Sequence, residues 1–147
     1  MQFRKMLLAF LVGLVLVGCG DKEVAYNYID APDVAKLMRE SAPLALVDIQ
    51  VNEDFEEEHL KGVLATYAFP VKTDEEIGRI VAIMDQIKPD DKVVVVCPKG
   101  GGGAKRAVDV LVKNGISNSR IFILTDGQYG WPRDTIQDVL IQFGEPL

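Results

Sequence analysis

The sequence predicts an α/β domain, an open and mostly parallel sheet with helices on both faces. Three observations predict it. Short apolar runs alternate with amphipathic segments of helical period through residues 28–147, the order that parallel strands joined by crossover helices require. The run Lys92-Val93-Val94-Val95-Val96 is apolar at consecutive positions rather than alternate ones, as in a strand buried on both faces. Pro43, Pro70, Pro89 and Gly115 fall at segment ends, where they punctuate rather than disrupt. A length of 147 residues gives room for one domain, and 48% hydrophobic with 26% charged residues is a globular composition.

The elements follow in order. Asp30 with Pro32 just inside reads as a helix start, and Val34, Leu37 and Met38 give that helix its apolar face. Ser41-Ala42-Pro43 stops it, and Leu44 to Ile49 reads as a buried strand. Asn52 is placed to cap a brief acidic helix through Glu58, whose carboxylates read as a solvated face. His59 to Gly62 turns the chain into a second strand over Val63 to Phe69. Thr73 or Asp74 caps the next helix, with Ile77, Ile80, Val81, Met84 and Ile87 at helical spacing. After the valine strand and a glycine-rich loop, Ala104 to Asn114 reads as a helix stopped by Gly115. Arg120 to Leu124 reads as a strand, and Pro132 to Phe143 as a final amphipathic helix.

The N-terminus carries a different signal. Arg4 and Lys5 precede the apolar run Met6 to Val17, which falls short of the roughly 20 residues of a membrane span. Leu16-Val17-Gly18-Cys19 resembles a bacterial lipobox, where the cysteine becomes the acylated N-terminus. The expected organisation is a lipoprotein signal peptide at 1–18, a tether at 19–27 and one domain at 28–147. The expected location is the periplasmic face of the cell envelope, with the membrane reached through acyl chains on Cys19. Removing residues 1–18 takes away Arg4 and Lys5, so the formal charge moves from −6 to −8. That acidic balance argues against nucleic acid as a partner.

Cys19 and Cys97 are the two cysteines, and His59 is the one histidine, too few for a zinc framework. No metal or cofactor is implied. With Cys19 acylated, Cys97 has no partner for an internal disulfide. An unpaired thiol in an exported protein is then either buried and inert or kept for chemistry.

The position of Cys97 favours chemistry. It ends the valine strand, and ligands of open α/β sheets sit beyond the carboxyl ends of strands. Pro98, Lys99, Gly100, Gly101, Gly102 and Gly103 follow, then a helix. Consecutive glycines leave their N–H groups unobstructed and able to form a concave anion nest. The helix start and Lys99 add positive potential. These features are expected to lower the pKa of Cys97 below that of a free thiol. No Gly-Lys-Ser/Thr follows the glycines, which excludes a nucleotide P-loop.

Four segments together resemble the rhodanese superfamily. They are Leu46-Val47-Asp48-Ile49-Gln50 with Glu53-Asp54-Phe55 and His59-Leu60-Lys61-Gly62-Val63; Val93 to Cys97; the glycine loop with Ala104-Lys105-Arg106-Ala107; and Ile123-Leu124-Thr125-Asp126-Gly127-Gln128-Tyr129-Gly130-Trp131-Pro132. The resemblance implies a sulfurtransferase or sulfur carrier with Cys97 as nucleophile and the amides of Lys99 to Gly103 as its cradle. A small sulfur-containing anion such as thiosulfate or polysulfide would leave sulfane sulfur on Cys97. A thiol or cyanide-like acceptor would then remove it.

The chain departs from the family pattern at several points. Gln50 stands at a usual arginine, Glu58 at a usual glycine, and Asp126 at the first glycine of a pair. Gly102 occupies the place where thiosulfate-using members carry a cation, and the loop reads as about one residue longer than theirs. Gly103 falls where phosphatases of this fold place arginine. A non-catalytic binding module, or phosphatase or arsenate-reductase chemistry, are the alternatives. Among the remaining polar residues, His59 and Asp48 read as structural, Trp131 and Tyr129 as shaping a loop beside the site, and Arg106 as a surface residue.

Overall fold

The structure, a computed structural model, describes residues 24–144. The expected signal peptide, Cys19 with its lipidation, tether residues 20–23 and residues 145–147 lie outside the described residues. Within the segment assigned to the tether, Val24 and Tyr26 pack against the domain core, and Tyr26 donates a hydrogen bond to Asp109.

Five strands form one all-parallel sheet: β1 (Tyr28–Ile29), β2 (Leu44–Asp48), β4 (Leu64–Ala65), β5 (Lys92–Val96) and β6 (Ile121–Leu124). Their spatial order is β1-β6-β5-β2-β4, which puts the valine strand β5 at the centre. The consecutive valines have a direct structural reading. Val93 and Val95 face one core with Val47, Ile49 and Ile123, while Val94 and Val96 face a second core with Leu46 and Leu124. Helices α3 (Asp74–Val81) and α4 (Gly102–Lys113) supply Ile80, Ala107 and Leu111 to the first core. Helix α1 (Ala31–Arg39) supplies Val34 and Ala35 to the second. The expected fold class is thus the observed one. Each fully buried valine stabilises the fold by about 1.5–3 kcal/mol, so β5 anchors both layers.

Thr73 and Glu76 form a reciprocal capping box at the start of α3, at 3.2 and 3.1 Å. The helix itself stops at Val81, and Met84 to Gln86 form a 3₁₀ turn, so the periodic stretch to Ile87 is not one helix. The brief acidic helix α2 (Asn52–Glu57) forms as expected, with Val51 rather than Asn52 at the cap position.

Two expectations fail. The strand expected over Val63 to Phe69 is reduced to Leu64–Ala65, because Tyr67 and Val71 take positive φ values of 54° and 62° and bend the chain away. The final helix expected over Pro132 to Phe143 does not form. Turns lead instead to β7 (Leu140–Gln142), which pairs antiparallel with β3 (Glu58–Leu60). Ile136, Val139 and Leu140 mimic helical spacing, but the first two enter the second core from irregular chain and Leu140 from the start of β7, beside Trp131, whose indole N–H donates to Ile136 O at 2.8 Å. The backbone of β3 is satisfied by β7 in place of solvent.

Candidate functional site

Cys97 follows β5 directly, at the carboxyl end of the central strand. The chain then turns through Pro98 to Gly101 and enters α4 at Gly102, two residues earlier than expected. Gly102 and Gly103 therefore belong to the first helical turn, and the true loop is short. Gly100 takes φ +72°, a conformation that favours glycine, and its N–H points at Cys97 Sγ at 2.8 Å. Gly103 is glycine for a different reason: a Cβ there would lie 2.8 Å from the Phe69 ring.

A second segment braces this loop from behind. Gln128 N–H donates to Cys97 O at 2.7 Å, and Tyr129 N–H donates to Pro98 O at 3.0 Å. Gly127, at φ +63°, passes so close that a Cβ would fall 2.2 Å from Cys97 O. The brace is in turn tied to β3. Glu58 is buried and accepts from Arg133 Nε and Nη2 and from Gln128 Nε2, each at 2.7 Å, and from Gln142 Nε2 at 2.8 Å. Arg133 also donates to the carbonyls of Gln128, Tyr129 and Trp131. Glu58 is thus a structural ion-pair partner and not part of a solvated acidic face. Burial raises its pKa, but the bonds from Arg133, Gln128 and Gln142 outweigh that and hold it below the usual carboxylate range.

Cys97 forms part of the wall of a cavity of about 700 Å³. Lys72, Lys99 and Arg106 line it with positive charge against the single carboxylate of Asp54, and Phe69 and Tyr129 supply aromatic surface. Of the residues expected at the site, Pro98, Lys99, Gly101, Gly102 and Gly103 also line this cavity. Gly100 serves through its amide to the sulfur. Among the described residues, no three His, Cys, Asp or Glu side chains gather as a metal-binding group.

One expectation about Cys97 is overturned. Burial pushes the thiol pKa up, and the amides of Gly100, Lys99, Gly101 and Ala104 pull it down without prevailing. The glycine cradle is present, but the side chain is almost wholly buried and desolvation is the larger effect. Asp48, at the end of the neighbouring strand, behaves likewise. It accepts from Gln50 N at 2.8 Å and Gln50 Nε2 at 3.0 Å, yet desolvation raises its pKa to about 6. His59 stacks on Phe55 with centroids 3.9 Å apart and contacts Phe55 O through Nδ1 at 2.7 Å, a structural placement.

A family model for the rhodanese-like domain matches residues 30–134. The chain belongs to the rhodanese-like domain family. Among solved structures, a rhodanese-like domain from Anabaena sp. is similar with TM-score 0.60 and 13% identity, covering 84% of this chain and 86% of that one. A rhodanese-like domain protein from Staphylococcus aureus gives 0.54 and 19%, covering 71% and 90%. An As-Sb reductase from Leishmania major gives 0.59 and 14%, covering 79% and 85%. At these identities the likeness establishes the fold. No curated protein matches the chain in sequence.

In this rhodanese-like domain Lys72, Lys99 and Arg106 supply the cations of the cavity. The loop position at Gly102 carries no cation, but Arg106 lies one helical turn further along α4 and its Nη1 would stand 3.0 Å from a Cβ at Gly102. Arg106 Nε donates to Pro70 O at 2.9 Å, which fixes the side chain at the cavity wall rather than free on the surface. The i, i+4 relation to Gly102 is the sequence signal for it, legible once α4 is known to begin at Gly102. Asp54 reaches the cavity from α2, within the quoted Glu53-Asp54-Phe55 segment, whereas Lys72 reaches it from the segment before α3 and no local pattern marks it.

Proposed function

We propose that this domain is a sulfur carrier or sulfurtransferase that holds sulfane sulfur as a persulfide on Cys97. The supporting observation is Cys97 in the wall of a cation-lined cavity, with the Gly100 amide 2.8 Å from its sulfur. The thiol first loses its proton to solvent. With thiosulfate as donor, the thiolate attacks the outer sulfur, the donor S–S bond breaks, and sulfite leaves with the electron pair. Lys72, Lys99 and Arg106 neutralise the incoming anion, and the loop amides stabilise the terminal sulfur of the persulfide. A thiol or cyanide-like acceptor then attacks that outer sulfur, the Cys97 Sγ–S bond breaks, and Cys97 departs as thiolate.

The alternative is a binding module with little turnover, and the elevated thiol pKa favours it at neutral pH. Phosphatase or arsenate-reductase chemistry has less support. The position for a clamping arginine is Gly103, where even a methyl group meets the Phe69 ring. Mass spectrometry after incubation with thiosulfate or polysulfide separates these readings. The sulfur-carrier reading expects a gain of about 32 Da on the Cys97 peptide, absent in Cys97→Ser. No adduct with any sulfane donor would leave the binding module.

We further infer export and anchoring through Cys19, on the strength of the Leu16-Val17-Gly18-Cys19 pattern after an apolar run. Acylation of Cys19 in protein expressed in a bacterium, with release to the soluble fraction by Cys19→Ser, tests it. An unmodified Cys19 on a full-length N-terminus would exclude it.

A further inference from the structure

A second cavity, of about 750 Å³, adjoins the first, and Asp54 and Tyr129 line both. Tyr129 OH donates to Asp54 Oδ2 at 2.6 Å, so one hydrogen bond forms the partition. The two chambers differ in charge. The Cys97 chamber carries Lys72, Lys99 and Arg106 against Asp54. The second carries Asp54, Glu57 and Glu58 against Arg133, which Glu58 already pairs. It is also rich in unused acceptors. Gln50 and Gln128 line it, each 1% exposed, and the amide oxygen of each has no hydrogen-bond donor. Buried acceptors are ordinarily satisfied, so this chamber suits a ligand that brings positive charge and N–H donors.

We propose that the second cavity receives the cationic end of the sulfur acceptor, a small thiol that also bears an ammonium or guanidinium group. The assignment rests on the sulfur-carrier reading. The cation sits among Glu57, Asp54 and the Gln50 and Gln128 amide oxygens, and the thiolate reaches past Tyr129 to the persulfide. That thiolate attacks the outer sulfur, a new S–S bond forms on the acceptor, and the Cys97 Sγ–S bond breaks. Cys97 leaves as thiolate and takes a proton from solvent, with no external oxidant or reductant.

The test has two arms. In the first, Cys97 is loaded with polysulfide, desalted, and mixed with cysteamine, 2-mercaptoethanol or 3-mercaptopropionate at equal thiolate concentration. Persulfide loss is followed by mass spectrometry. Cysteamine is expected to react about ten-fold faster than 2-mercaptoethanol, and salt should compress the difference. The more acidic thiol is intrinsically the poorer nucleophile, so intrinsic reactivity works against this order. Glu57→Lys, at an exposed position, is expected to abolish the preference for cysteamine over 2-mercaptoethanol. Equal rates for the three thiols, or an unchanged preference in Glu57→Lys, overturns the proposal.

The second arm needs no sulfur loading. Ethylammonium titrated into the unloaded protein is expected to shift the side-chain amide resonances of Gln50 and Gln128, and propionate is not. Absence of those shifts removes the cation site whatever Cys97 does. Shifts without any sulfur adduct on Cys97 overturn the acceptor role and the sulfur-carrier reading while the cation site stands.

Discussion

Two buried carboxylates stand near the loop that holds Cys97, and they respond to burial in opposite ways. Asp48 accepts hydrogen bonds from neutral groups, the N–H and amide of Gln50, with a smaller electrostatic pull from His59, and burial still raises its pKa to about 6. Glu58 has the two-pronged guanidinium of Arg133 besides two glutamine amides, and its pKa falls. Neutral hydrogen bonds soften the cost of burying a charge without cancelling it, whereas a bidentate guanidinium outweighs it. The contrast also gives meaning to two departures from the family pattern. Gln50 takes a usual arginine away from the neighbourhood of Asp48, and Glu58 introduces a carboxylate where glycine is usual. The ion pair of this chain joins Glu58 on β3 to Arg133, and it secures Gln128 and through it the carbonyl of Cys97.

Breaking the paired side gives the largest expected effect. Arg133→Met strands the buried Glu58 carboxylate and frees three carbonyls. Removing one partner of a buried pair costs about 3–5 kcal/mol, and the lower end applies because the Arg133 side chain is 39% exposed. Urea unfolding measures it. A loss under about 1 kcal/mol would show that this pair behaves like a surface one.

The unpaired side gives a pH signature. The folded-state pKa of Asp48, about 6, lies above the ordinary aspartate value of 3.8, so the folded state holds the proton more tightly than the unfolded chain. The penalty is absent below the unfolded value, grows as pH rises, and is complete above about 6. Ionised Asp48 therefore destabilises the fold by about 3 kcal/mol at neutral pH. Glu58 contributes the opposite slope, so the useful quantity is the difference between wild type and Asp48→Asn. That difference should swing by about 2.4 kcal/mol against wild type between pH 4 and 7. A flat difference curve would falsify the neutral-partner account of Asp48.

The same distinction explains what was legible in the sequence. The valine run and the position of Cys97 at its end are local patterns found where the sequence places them, and of the glycines after it only Gly100 and Gly101 stay in the loop while Gly102 and Gly103 open α4. The Pro132 to Phe143 segment was misread because Ile136, Val139 and Leu140 repeat as a helix would, while the partner that draws Leu140–Gln142 into a strand lies some 80 residues away in β3. Glu58 was misread for the same reason: in the sequence it ends an acidic run, and its guanidinium partner is 75 residues distant. Gly127 reads locally as a turn glycine, and only the contact with Cys97 O shows why no side chain fits. Lys72 and Arg106 reach the cavity through tertiary placement, so charge counting inside the loop overlooked them.

Cys97 extends the comparison to a third buried ionisable group, and it falls on the side of Asp48. Its donors are backbone amides, which are neutral dipoles, and burial prevails over them. The resting protein therefore holds a thiol at neutral pH, and the thiolate fraction increases about ten-fold per pH unit until the raised pKa is reached. Alkylation of Cys97 by iodoacetamide should climb at that rate through pH 7 to 9 without a plateau. A plateau near pH 7 would mean that the cations of the cavity, and not the amides alone, govern the sulfur, which would move Cys97 to the side of Glu58. Iodoacetate sharpens the reading, because its carboxylate should profit from the same three cations while leaving the pH dependence unchanged. A preference for iodoacetate of a few-fold at low salt, fading as salt rises, would show that the cations recruit anions without ionising the thiol.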